Sequence, residues 1–154
     1  MQKEFPFSPL EVVALFAGFW VLVSLLIAQG GWRQMAALFP ATEEPEGRRL
    51  VAGARIEPYL ANYTSCLNVI LTPAGVYLAV QFPFFLGHRP MLIPWSGVNG
   101  ISERAGWLGG RRFEVAIAAR HFVMTLRLPE EAESLLRKYA PQFFARREGT
   151  PRME

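Results

Sequence analysis

The chain contains no aspartate; its 13 acidic residues are all glutamate. That absence removes EF-hand calcium loops and any nucleophilic triad that depends on Asp. Cysteine occurs once, at Cys66, which excludes an intrachain disulfide framework and a cysteine-rich zinc site. Histidine occurs twice, and His88 and His121 share no ligand spacing with Glu114 or Cys66, so no metal site is expected. The ordinary readings are a loop residue for His88 and a hairpin-turn residue for His121. Lysine is nearly missing, with Lys3 and Lys138 set against 14 arginines, and the net charge is +3. From Val12 to Trp32 there is no charge at all.

That uncharged run is punctuated as a helix. Ser8-Pro9-Leu10-Glu11 has the pattern of a capping box, with Ser8 as N-cap, Pro9 at the first helical position and Glu11 at N3. Phe7 and Val12 are placed to form the hydrophobic staple. The following residues are apolar on every face, as in a helix solvated by lipid. Twenty-one residues rise about 31 Å, close to the thickness of a hydrocarbon core. Trp20 falls mid-span, and Trp32 beside Arg33 stands where an interfacial anchor belongs. Ala28-Gln29-Gly30 also fits a signal-peptidase site, but the segment before the run carries two glutamates and one lysine, unlike a signal sequence. A membrane-spanning helix is the expectation, with the Arg-rich remainder on the cytoplasmic side.

Beyond it, Trp32, Met35, Ala36 and Phe39 recur at i, i+3, i+4 and i+7, predicting a short amphipathic turn at the membrane interface. PATEEPEG, residues 40–47, then reads as an exposed linker. From Leu50 the dominant period is two. LVAGARIEP, the pair within CLNVILTPAGVYLAVQF, MLIPW, GVNGISERA, RRFEVAIA and HFVMTLRL make about seven strands, spaced as in an antiparallel barrel or sandwich. Thr72-Pro73-Ala74-Gly75 is the pattern of a type I turn. After Pro129 the period changes: Ala132, Leu135, Leu136 and Tyr139 predict an amphipathic helix with glutamates at its start and Arg137-Lys138 at its end.

Seven short strands and one C-terminal amphipathic helix follow the element order of the pleckstrin-homology (PH) superfold. LNVILTPAGVYLAV, residues 67–80, resembles the second and third strands of bacterial PH-like and GRAM-like domains. LIPWSGVNGI, residues 92–101, resembles the step by which such domains enter their next strand. The resemblance covers about residues 50–140. It implies a PH-like barrel or sandwich that binds phosphoinositides or serves as a protein-interaction platform. The phosphoinositide-binding members use a basic cluster on the first two strands, whereas this chain offers Arg55 and then the neutral YLANYTSCLN.

The expected organisation is a tail (1–10), a transmembrane helix (11–32), an interfacial turn and linker (33–47), a PH-like β domain with its helix (48–141) and a flexible tail (142–154). The fold class is mainly β with helices. Phe84, Phe85 and Trp95, from the aromatic stretch FPFFLGHRPMLIPW, are the candidate partner-binding residues. Arg104, Trp107, Arg111 and Arg112 surround a predicted Gly-Gly hairpin and are the candidate contacts to anionic lipid headgroups. Cys66 lacks an advertised base and reads as a small buried residue. No cofactor, catalytic residue or nucleic-acid motif is expected. The function that follows is a single-pass, membrane-anchored, non-catalytic scaffold or accessory subunit binding a partner protein. The competing reading is a membrane-attached enzyme or hydrophobic-ligand carrier with a pocket of Phe82, Phe84, Phe85 and Trp95.

Overall fold

Alternation of apolar and polar side chains produces the sheet. In β6 (Arg111–Ala119) Phe113, Val115 and Ile117 are buried; in β7 (Phe122–Pro129) Phe122, Met124, Leu126 and Leu128 are. Their in-between residues face outward, as the period of two requires. The computed structural model describes residues 8–59, 61–106 and 109–145. The other strands are β1 (Arg49–Glu57), β2 (Ala61–Leu71), β3 (Gly75–Val80), β4 (Met91–Pro94) and β5 (Val98–Ala105). All neighbours are antiparallel, in the order β4-β3-β2-β1-β7-β6-β5. β1 joins the two halves: it pairs with β2 along its length and with β7 from Gly53 to Glu57. The sheet curls around one apolar core as a half-barrel.

β2 starts earlier than the apolar pattern suggested, at Ala61. Thr64-Ser65-Cys66 bulge opposite Gly53, with Ser65 at φ 51°, and this polar interruption hides the strand's first residues from a period-two reading. The β2–β3 turn is closed by Thr72 and Gly75, whose backbone groups bond reciprocally at 2.9 and 3.3 Å. After β7 a 3₁₀ turn, Glu130–Ala132, leads into the short helices α3 (Glu133–Tyr139) and α4 (Gln142–Ala145). Ala132 and Leu136 are fully buried, while Leu135 and Tyr139 pack partly against the core.

At the other end of the chain, α1 (Pro9–Ala28) is the one helix among the described residues long and apolar enough to cross a membrane. Its start is the expected capping box: the Ser8 N–H donates to Glu11 Oε2 at 2.7 Å, and the Glu11 N–H to Ser8 Oγ at 3.3 Å. The proposed staple partner Phe7 lies outside the described residues. Eleven large apolar side chains of α1 are exposed, Leu10 at 79% and Phe16 at 65% among them. In water each would forgo about 1.5–3 kcal/mol of burial, so the helix surface calls for an apolar surrounding.

α1 ends in a tight turn at Gly30-Gly31, and α2 (Trp32–Leu38) starts immediately after it. Gly31 has φ +97°, and a Cβ there would lie 2.8 Å from Ile56 and 2.9 Å from Tyr59. Trp32, expected as an interfacial anchor, is instead fully buried in the β domain, together with Met35 and Ala36. The i, i+3, i+4 apolar spacing of α2 is satisfied by the sheet interior. The segment after it is not free chain throughout. The Leu92 N–H donates to the Phe39 carbonyl at 3.0 Å, the Ala41 N–H to the Pro90 carbonyl at 3.3 Å, and Pro40 sits opposite Met91. This covers the β4 edge, which would otherwise offer unpaired groups to another strand.

Candidate functional site

β3 stops at Val80, and Pro83, which has no N–H to give a ladder, prevents the strand from continuing. Residues 81–90 form a loop braced by turns, Phe84 N–H to the Gln81 carbonyl and His88 N–H to the Phe85 carbonyl, both 2.9 Å. The loop leans on the C-terminal half of α1. The Phe84 ring lies 4.8 Å from the Trp20 ring. Gly87 approaches α1 so closely that a Cβ there would stand 3.0 Å from Leu25 and 3.2 Å from Ala28. Ser24 and Ala28 are buried beneath it.

Under the loop, three rings close the joint between helix and sheet. His88 is buried; its Nε2 is 3.1 Å from the Tyr63 hydroxyl and its Nδ1 is 3.0 Å from the Leu86 carbonyl. A carbonyl only accepts, so Nδ1 carries the proton and Nε2 accepts from Tyr63. Trp32 packs at 5.2 Å from Tyr63 and 5.5 Å from His88, and its Nε1–H donates to the Arg89 carbonyl at 2.9 Å. Burial lowers the His88 pKa and raises that of the Tyr63 phenol, so both stay neutral. Burial also pushes the Cys66 thiol up, away from nucleophilic use. The cluster is a satisfied, uncharged seal.

Outside the seal the surface changes character. Phe82 (84% exposed) and Phe85 (48% exposed) stack at 6.1 Å, and Phe85 shares a groove with Leu25 of α1. Between the loop and the end of α1 runs a groove of about 540 Å³, walled by Leu25, Ala28 and Phe85, with Arg33 and Arg89 at its polar side. Both arginines are exposed, and neither has a carboxylate partner among the described residues.

The residues singled out from sequence separate into three places. Phe84 is covered by Trp20, and Phe85 borders the groove. Trp95 lies past β4, in the 3₁₀ turn Trp95–Gly97, where its Nε1–H donates to the Thr72 carbonyl at 2.9 Å. The length of β3, about 17 Å at the usual rise, separates the two groups, so they do not wall one pocket. The arginines of the β5–β6 hairpin are engaged: Arg104 with Glu114 at 3.3 Å, Arg112 with Glu114 at 3.6 Å, and Arg111 with Glu103, Glu130 and Glu133 at 3.4, 3.2 and 2.7 Å. Trp107 lies outside the described residues. Strand pairing puts this hairpin at the opposite end of β6 from the β6–β7 turn, whose neighbour on β1, Glu57, adjoins the α1 joint.

Sequence reasoning missed the Tyr63–His88 pair and the exposed Arg33 and Arg89. A signal for the arginines was present: each is the first charge after a long uncharged run, 12–32 before Arg33 and 58–88 before Arg89. Searches against protein-family models, curated proteins and solved structures find no match to this chain, so its geometry alone carries the functional reading.

Proposed function

We propose that this protein is a single-pass membrane scaffold whose non-catalytic, PH-like β domain is held directly against the bilayer to receive a partner protein. The observation that carries this reading is the packing of loop 81–90 on α1. A cleaved leader would take Trp20, Leu25 and Ala28 away and leave Phe84 and the Trp32–His88–Tyr63 seal uncovered. A retained helix makes anchor and domain one packed unit with a short turn in place of a flexible tether. Such a unit presents its surfaces at a set height above the membrane, which suits a scaffold.

The strand order, with two short helices after β7, supports the PH-like reading. The neutral, fully bonded state of Tyr63 and His88 favours a structural role for the ionisable pair over acid–base work. Arg33 and Arg89 at the domain end of α1 favour a cytoplasmic domain. Of the three candidate partner-binding residues Phe84, Phe85 and Trp95, Phe85 is the most open, and the outer sheet face adds exposed Val51 and Val123.

Photocrosslinkers placed at Val51, Phe85 and Val123 of the full chain in native membranes test the reading. A discrete protein adduct at one of these positions, from protein that resists carbonate extraction, is the expected result. Extraction by carbonate, or adducts with lipid alone at all three positions, would refute the scaffold reading.

A further inference from the structure

The loop meets α1 at a level that has a consequence for lipid. Trp20 lies eight residues before Ala28, a rise of about 12 Å, so Phe84 sits about 12 Å deeper along the helix than the helix end. Phe82 to Leu86 carries no charge, and of its two exposed rings, Phe82 and Phe85, the second faces Leu25 of α1 across the groove. If α1 spans a bilayer, that loop tip shares the hydrocarbon with it. The groove beneath then opens at the headgroup level, because Arg33 comes just after the end of the helix and Arg89 stands at the base of the loop, next to β4. A second hollow, lined by Ala36, Pro40 and Pro90, continues past the same two arginines on the α2 side.

We infer that the seam between α1 and loop 81–90 is a binding site for one anionic glycerophospholipid. An acyl chain lies against Leu25 and Phe85, and the phosphate bridges Arg33 and Arg89. Three features meet here. The wall is apolar and continuous with the lipid-facing surface of α1. The charges are two guanidiniums, whose planar donors suit a phosphodiester. Among the described residues neither charge is spent on a carboxylate, in contrast to Arg104, Arg111 and Arg112. The inference rests on α1 being a retained membrane helix, and it moves the lipid contact from the β5–β6 hairpin to the helix joint.

The test uses the full-length protein, purified in detergent and stripped of lipid, with native mass spectrometry during titration with phosphatidylglycerol or phosphatidylcholine. One phosphatidylglycerol should bind in preference to phosphatidylcholine. Arg33→Gln with Arg89→Gln should weaken that binding on the order of tenfold or more. Arg104→Gln with Arg112→Gln removes the same charge elsewhere and should leave it unchanged. Glycerol phosphate at millimolar concentration, which has the headgroup chemistry without the chains, should not displace the lipid. Equal binding of the two lipids, equal losses in both double variants, or displacement by glycerol phosphate would overturn the site. Carbonate extraction of the same protein from membranes separates the two levels: release refutes the membrane reading and the site with it. Retention combined with any of those binding failures refutes the site alone.

Discussion

The Tyr63 hydroxyl and His88 Nε2 stand 3.1 Å apart across the joint between α1 and the sheet, twenty-five positions apart in the chain. Tyr63 comes from the bulged start of β2, and His88 from the loop that leans on α1. Their bond fixes where the loop sits and thereby where Phe84 and Gly87 meet the helix.

A pH dependence follows from this pair. Burial, the largest influence on His88, holds its pKa below the usual 6.5. As pH falls through 6.5 the unfolded chain takes up the proton first, while the folded chain resists it. Stability is therefore full above about pH 6.5 and declines as pH drops towards the lower folded value, by at most about 1.4 kcal/mol per pH unit. Thermal unfolding of the purified full-length protein between pH 8 and 5 should show this decline, and His88→Gln should flatten it. Tyr63→Phe, which leaves Nε2 without its donor, should cost about 1–3 kcal/mol at pH 8. An unchanged pH profile in His88→Gln would contradict the assignment.

Much of this architecture was legible because it obeys local rules. The capping box at Ser8, the β2–β3 turn at Thr72–Gly75 and the alternation of β6 and β7 each rest on residues close in sequence. His121, expected in a turn, sits with Arg120 between β6 and β7. What was not legible depends on distant partners. Trp32 reads as a membrane-interface residue beside Arg33 until the pocket under loop 81–90 is known to receive it. Trp95 gives no sign in the sequence that its indole N–H is bonded to the Thr72 carbonyl. The hairpin arginines read as free cations until strand register sets Glu114 between Arg104 and Arg112. Aromatic and charged residues keep both readings open in sequence, because one side chain suits an interface and a bonded interior equally well.

Gly31 should be the least replaceable residue of the joint. Its φ of +97° disfavours any L side chain, and a Cβ would press on Ile56 and Tyr59. Gly31→Ala should destabilise the protein by about 2–4 kcal/mol, combining left-handed strain with overpacking. Denaturant unfolding of the detergent-solubilised protein measures it. A loss below roughly 0.5 kcal/mol, the scale of a neutral surface change, would mean the joint relaxes at little cost.

Arg111 should behave as a strut. Its guanidinium meets Glu103 of β5, Glu130 of the 3₁₀ turn and Glu133 of α3. Arg111→Gln should lower the melting temperature by a few degrees at low salt, and the difference should shrink at about 1 M salt, where exposed charges are screened. Binding to anionic vesicles should not change. A selective loss of vesicle binding with unaltered melting would restore the headgroup role to this hairpin.

The contact between Trp20 and Phe84 separates a retained helix from a removable leader most directly. The rings lie 4.8 Å apart at 39°, within the range where aromatic pairs attract beyond their buried area. If α1 spans a bilayer, the lipid tails are as apolar as the rings themselves, so close packing is what would hold the loop to the helix. A double-mutant cycle of Trp20→Ala and Phe84→Ala, read by unfolding of the full-length protein, should give a coupling of about 0.5–1.5 kcal/mol. Each single change should also raise the protease sensitivity of loop 81–90, and the second change should add little to the first. Additive effects would mean that loop and helix do not touch in the folded protein. No effect of Trp20→Ala on the mature β domain would mean that α1 had left it.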